Sequence, residues 1–483
     1  MTALHYTVLQ GCPDIAQLVL NAGHPVDLPI QRRIWRQSIA GDSYTYCQLE
    51  DPGLRNLSSG SGPGLTALHL ATVIGSFTMA QFLVRIGANV NALSEYGEAP
   101  LQMALRRELY GPAWSNGYKD HWNEPDNRIE YAMDMIDPDI SNEGEYGDVR
   151  RWVEARRLSV LDLLLSHPDI DIAVKDLYGD TLIHCVRFGF PGSRVALKRL
   201  LDQGCDIHAR NGSGHTALHL ACLRRDAHAV KYLLKRGASV VDMDENGLNA
   251  LHYAACGAEE TCLRLILDKA VSSQLEHLVK LTDQKNRNAL HHLMNSRWGV
   301  DSAVARRLVR AGVEVELLDC EGNSPLAIFL QKSRAQSVHK AKIADILFSA
   351  GANPSFCTAE GSTLGHLAAS AWNVGVELLG VLMVHGVNLQ ASDQRGRNLL
   401  HYGAFSGSIQ SENVMVFLRQ TVGLRIDLRD ADGNTPLDTA VALSKSEGIS
   451  LFRDRRRQTK RLIREEESRQ AVMIKPSVSS VND

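Results

Sequence analysis

A six-residue string, Thr66-Ala67-Leu68-His69-Leu70-Ala71, returns intact as Thr216-Ala217-Leu218-His219-Leu220-Ala221. Internal repetition of this kind constrains a fold more than composition does. Shorter copies are Thr2-Ala3-Leu4-His5, Thr181-Leu182-Ile183-His184, Asn249-Ala250-Leu251-His252, Asn288-Ala289-Leu290-His291, Thr363-Leu364-Gly365-His366 and Asn398-Leu399-Leu400-His401. Three more keep the frame without the histidine: Ala99-Pro100-Leu101-Gln102, Ser324-Pro325-Leu326-Ala327 and Thr435-Pro436-Leu437-Asp438. With the histidine position as marker, eight of the ten successive gaps are 33 to 39 residues long. The other two, 64 and 82, each hold a repeat plus extra chain.

Each unit can be read physically. The Thr, Ser or Asn before the apolar run is a helix N-cap, whose side-chain oxygen takes an orphan backbone N–H. Proline at the next position suits the first helical residue, where no N–H is needed. A second apolar stretch follows about 14 residues later, as in Phe82-Leu83, Leu200-Leu201, Leu233-Leu234 and Leu347-Phe348. Glycines 87, 204, 237, 312, 351 and 386 then stop the second helix. Turns such as Asp244-Glu245-Asn246-Gly247 and Asp430-Ala431-Asp432-Gly433 lead into the next unit. One unit cannot bury both helices alone, so neighbours must stack to share a core.

This pattern resembles the ankyrin repeat, whose unit of 33 residues starts with a Thr-Pro-Leu-His-type motif. The resemblance runs from about residue 2 to about residue 445. It implies an all-α solenoid of about 10–11 helix-pair units with β-turn fingers, interrupted by two inserts. It also implies a curved stack whose fingers and first helices line a concave face that binds protein. Partner-binding candidates at the finger tips are Tyr96, Tyr178, Asn211, Asn246 and Arg395. The mild acidic excess of the tips predicts a modestly basic partner. The motif histidines, His5, His69, His184, His219, His252, His291, His366 and His401, are expected to be structural, bonding near their own cap and to the next unit. Members of the family resemble substrates of asparagine hydroxylation, and Asn91 in Gly87-Ala88-Asn89-Val90-Asn91 matches the modified place.

The domain reading is a partial first repeat at 1–26, an insert and linker at 27–63, repeats at 64–445 containing an acidic aromatic insert at 107–152, and a basic helix with a frayed tail at 446–483. The first unit lacks its preceding turn, and Leu4, Val8, Ile15 and Leu18 read as internal. Either the natural protein is longer, or the following insert or a partner covers that face. Between Arg107 and Val149 there are eleven acidic and three basic residues. Trp114 and Trp122 lie there as well. Such a segment can contact a partner, pack on the repeats or stay disordered. The basic segment 453–461 reads as the solvated face of a terminal helix or as a nuclear import signal.

Composition narrows the function class. The net charge is −3, which argues against nucleic acid or anionic membrane as the main partner. Nine cysteines, none in a Cys-x-x-Cys pair, make a disulfide framework or zinc module a poor expectation. No Gly-x-Ser-x-Gly, His-Glu-x-x-His or phosphate-loop motif occurs. The expectation is therefore a non-enzymatic scaffold or adaptor in the cytoplasm, with nuclear import as an addition, needing no cofactor and no metal. Two other classes stay open: the recognition arm of a larger signalling receptor, immune-type receptor or channel, and an enzyme whose site is formed by the inserts.

Overall fold

The computed structural model describes residues 2–30, 64–106, 158–189, 192–371, 374–409, 411–444 and 458–469. The expectations placed on 31–63 and 107–157, including Trp114 and Trp122, fall outside the described residues. The chain divides into two compact units, Met1–Ser239 and Val240–Asp483. Each consists of stacked helix pairs, and no strand occurs among the described residues beyond one antiparallel bridge between Cys357 and Thr363.

The first unit pairs Ala3–Leu9 with Pro13–Asn21, Ala67–Ile74 with Phe77–Arg85, Pro100–Leu105 with 158–165, and Ala217–Leu223 with Ala227–Lys235. Ser193–Asp202 stands as a second helix whose first partner is a departure from the motif. Residues 182–185 form turns, with Cys185 N–H donating to both Thr181 and Leu182 carbonyls at 3.3 and 3.2 Å. Gly189, Pro191 and Gly192 follow within a few residues, and glycine and proline both oppose helix extension. The first insert is held at its root. Gly64 N–H donates to the Ile30 carbonyl and Ile30 N–H to the Leu65 carbonyl, each at 2.9 Å, so the first insert leaves and returns at one point.

The second unit pairs Ala250–Gly257 with Glu260–Ser272, Ala289–Met294 with Ser302–Arg310, Pro325–Lys332 with Ser337–Ser349, Leu364–Ser370 with Val376–Val384, and Leu399–Ser406 with Glu412–Phe417. Pro436–Ser444 and a helix at 458–469 follow. In this last helix Leu462 and Ile463 are buried, while Thr459 donates its hydroxyl to the Ile409 carbonyl at 2.7 Å.

Within each unit first helices pack on first helices and second on second. Alanine makes this close approach workable. Ala71, Ala221, Ala254 and Ala368 are fully buried and let Leu68, Leu218, Leu251 and Leu364 fill the space between pairs. The glycines that end second helices, 87, 204, 237, 312, 351 and 386, all sit at φ between 85° and 99°. Those angles favour glycine because a Cβ would clash there.

The first pair is buried on one side only. Leu4 and Val8 are covered, but Ile15 and Leu18 are 52% and 67% exposed.

Candidate interaction surface

Two hydrogen-bond systems, one inside the stack and one at its edge, determine what the surface can present. The internal system is built on the motif histidines. In His5, His69, His184 and His366 the ring Nδ1 accepts the N–H of the capping threonine at 3.0–3.2 Å. At His252 it accepts the Asn249 N–H at 3.1 Å. The hydrogen of these neutral rings therefore sits on Nε2, which donates to a carbonyl of the next unit. The acceptors are Leu65, Glu98, His215, Arg397 and Leu281, at 2.8–3.2 Å. His291 and His401 reach Asn323 and Asn434 in the same way, at 3.3 and 3.1 Å. At His219 the Nδ1 accepts the Thr216 N–H at 3.1 Å. Burial disfavours the charged ring and lowers His5, His69 and His291 to about 4 and His252 to about 3.

Gln102 does the same work without a titratable group. Its Oε1 accepts the Ala99 N–H and its Nε2 donates to the Asp180 carbonyl, both at 2.9 Å. His292, next to His291, takes no part in this chain of bonds; its Nε2 donates to Asp283 Oδ2 at 3.1 Å.

The edge system forms the fingers. At 94–98, 176–180, 211–215, 244–248, 283–287, 319–323, 358–362, 393–397 and 430–434, the first residue's N–H donates to the carbonyl four residues on. In seven of them an Asp or Asn Oδ1 at the first position gathers two further N–H groups, as Asp176 does from Tyr178 and Asp180 at 2.9 Å. Short polar side chains favour such local turns over helix. Successive fingers then bond to one another. Leu177 N–H donates to Tyr96 O at 3.0 Å, Gly212 N–H to Tyr178 O at 2.7 Å, and Ala431 N–H to Arg395 O at 2.8 Å. A Cβ on Gly212 would lie 2.5 Å from the Tyr178 carbonyl oxygen, so that contact needs glycine.

With these backbone groups engaged, the side chains at the tips are the groups best placed to meet a partner. In the first unit Leu93, Leu177 and Tyr178 are 55%, 69% and 42% exposed, and Tyr96 is half-buried. Asn211 is different: its Oδ1 holds its own turn and its Nδ2 donates to Asp180 Oδ1 at 2.7 Å. Asn246 and Arg395 are exposed in the second unit. Asn91 bridges two finger roots, its Nδ2 donating to the Asp169 carbonyl at 2.6 Å and its Oδ1 accepting the Asp171 N–H at 2.9 Å.

Beneath the tips of the first unit lies a cluster that sequence reasoning missed. The Arg106 guanidinium bonds to Glu98, to Asp176 Oδ2 at 2.6 Å and to Asp180 Oδ2 at 2.7 Å. The Asp176 side chain is fully buried. Burial pushes the Glu98 carboxyl up, against the pull of Arg106. Two of the three acids lie 70 and 74 residues from Arg106 in sequence, across the second insert, so no local pattern pointed to them. Arg106 is the last described residue before that insert.

No group of three or more His, Cys, Asp or Glu with metal-binding geometry occurs among the described residues. Burial pushes the Cys185 thiol up to about 12 and Cys205 up to about 11, which keeps both protonated and poorly nucleophilic at neutral pH. No described helix is long and apolar enough to cross a membrane.

A family model described as ankyrin repeats in three copies matches residues 182–277, and the single ankyrin repeat matches residues 63–95. Over 109 residues the chain is 28% identical to protein phosphatase 1 regulatory subunit 27 of Mus musculus. That stretch is 23% of this chain and 62% of the relative, so the chain spans less than two thirds of the relative's length. Repeated capping motif, paired helices, bonded fingers and matched segments agree: this chain contains ankyrin repeats.

Proposed function

We propose that this protein is a non-enzymatic scaffold that binds a partner protein through its finger tips, with the patch Leu93, Tyr96, Leu177 and Tyr178 as the principal anchor. One observation carries the reading: Leu177 and Tyr178 stand exposed on a finger whose backbone is hydrogen-bonded to the fingers on either side. Rigid aromatic anchors on a fixed backbone lose little entropy on binding and make the strongest contacts of an interface. Glu95 is exposed at the same tips, and one guanidinium faces three carboxylates below them. The complementary segment is therefore basic with an apolar side chain between its charges. The murine relative is by name a regulatory subunit of a phosphatase. Regulation by holding another protein is the kind of role that suits this surface.

The test captures partners on the full chain and on the Leu177→Ser/Tyr178→Ala variant, from lysate of the native host. A specific partner with a basic segment should be retained by the first and weakened on the order of tenfold or more by the second. Equal capture by both, with both folded by circular dichroism, would move the binding surface elsewhere. Hydroxylation of Asn91 is a separate proposal within this reading. Peptide mass analysis of protein from its native host should show one added oxygen at Asn91, and its absence there ends the idea.

A further inference from the structure

We infer that the second unit carries another docking surface, on its second helices, that takes an acidic segment of a partner protein. The helix Ser302–Arg310 turns Val304, Ala305 and Leu308 into the core. At 3.6 residues per turn this sends Arg306, Arg307 and Arg310 outward together. Arg307 reaches Glu260 of the preceding second helix at 2.7 Å. Arg306 and Arg310 are exposed, one turn apart, with no ion pair among the described residues. Like charges at this spacing repel. Arg310 recovers something from the carboxyl end of the helix, but Arg306 is too far from it.

These two arginines form the ridge between two grooves. One, of about 340 Å³, runs toward Glu260 and Leu267. The other, of about 350 Å³, runs to the next second helix, where Lys342 faces the ridge. Two carboxylates line the grooves: Glu260 is ion-paired with Arg307, and Asp345 accepts a hydrogen bond from His385 Nε2 at 3.0 Å, so Arg306, Arg310 and Lys342 outnumber the acid not paired with arginine. Apolar side chains share the lining, Leu267 in one groove and Val309 and Ile346 in the other. Guanidiniums without an ion pair among the described residues, beside furrows that also hold aliphatic side chains, fit a peptide in which carboxylates alternate with aliphatic side chains. Arginine's fork accepts a carboxylate by two parallel hydrogen bonds, and the aliphatic groups enter the furrows. The charge of this surface is opposite to that of the finger patch, so the two select different partners and stand or fall separately.

The probe is a fluorescein-labelled peptide of repeated Glu-Glu-Leu, read by fluorescence anisotropy against the full chain. Its control is the same peptide with glutamine for glutamate. The acidic peptide should bind, weaken as salt rises, and lose about tenfold or more in affinity with Arg306→Glu/Arg310→Glu. The reversed variant should gain affinity for the lysine version of the peptide, which a merely unfolded protein would not. Leu177→Ser/Tyr178→Ala should leave the peptide's affinity unchanged. Four results overturn the proposal: no binding at about 1 mM peptide, equal binding of the glutamine peptide, indifference to the charge reversal, or capture of phosphatidylserine vesicles in place of the peptide.

Discussion

Acidified from pH 7, the protein loses stability as the pH falls from 6.5 toward about 4, and unfolds within that window. The cause is the set of motif histidines. In the unfolded chain each has the ordinary value of 6.5, and in the folded chain His5, His69 and His291 lie at about 4 and His252 at about 3. His184, His366 and His401 are lowered too, first of all by burial. Between those values the unfolded chain binds protons that the folded chain refuses. Stability is fully present above pH 6.5 and is lost as pH falls toward the folded values. The slope is about 1.4 kcal/mol per pH unit for each histidine. Several act on each unit, so a few tenths of a pH unit matter against a typical stability of about 5–15 kcal/mol. Asp283 and Asp393, held low by hydrogen bonds that outweigh their burial, lose their contribution only at lower pH.

Gln102 supplies the control. Because glutamine makes both of the histidine's bonds without titrating, His252→Gln, His291→Gln, His366→Gln and His401→Gln together should leave the second unit folded at pH 7. They should also shift its acid transition downward by at least half a pH unit. Circular dichroism at 222 nm across a pH series decides it. A native signal that persists to pH 4, or a transition that the glutamines do not move, would remove the histidines from the account.

Arg106→Ala lowers the stability of the first unit by about 2–4 kcal/mol, less than the full cost of orphaning a buried charge because the guanidinium is one-quarter exposed. Three carboxylates, one of them with no exposed side-chain surface, are left facing each other without a cation. The variant should take up a proton at the cluster. Its deficit relative to the parent therefore shrinks as pH is lowered from 7 toward 5, opposite in sign to the histidine effect. Adding Glu98→Gln should restore part of the loss at pH 7. Arg106→Lys should fall between, since one ammonium cannot span three acids. Thermal unfolding at pH 7 and pH 5.5 reads all of this. A melting temperature within one degree of the parent would show that the cluster is not holding the root of the second insert.

The finger patch and the Arg106 cluster share one piece of backbone. Asp176 and Asp180 bond to Arg106 below, while Asp176 Oδ1 holds the N–H of Tyr178 above. Loss of the cluster should therefore loosen the same finger that presents Leu177 and Tyr178, linking the stability of the insert's root to the geometry of the binding surface.

The sequence by itself determined the unit. Thr66, Leu68 and His69 recur because a cap, a core contact and a bond to the next unit are needed at fixed spacing in every helix pair. Glycines 87, 204 and 237 recur because their second helices end in the left-handed region. These are local requirements, and local requirements leave a period. What the tertiary structure alone decided is which tips remain free and which charges meet. Asn211 and Tyr178 read alike as tip residues, yet the first is spent on its own turn and on Asp180 while the second stays exposed. Arg106 finds its acids on both sides of the second insert, and Arg306 makes no ion pair among the described residues. Such pairings depend on residues brought together from distant parts of the chain, and the repeat period does not specify them.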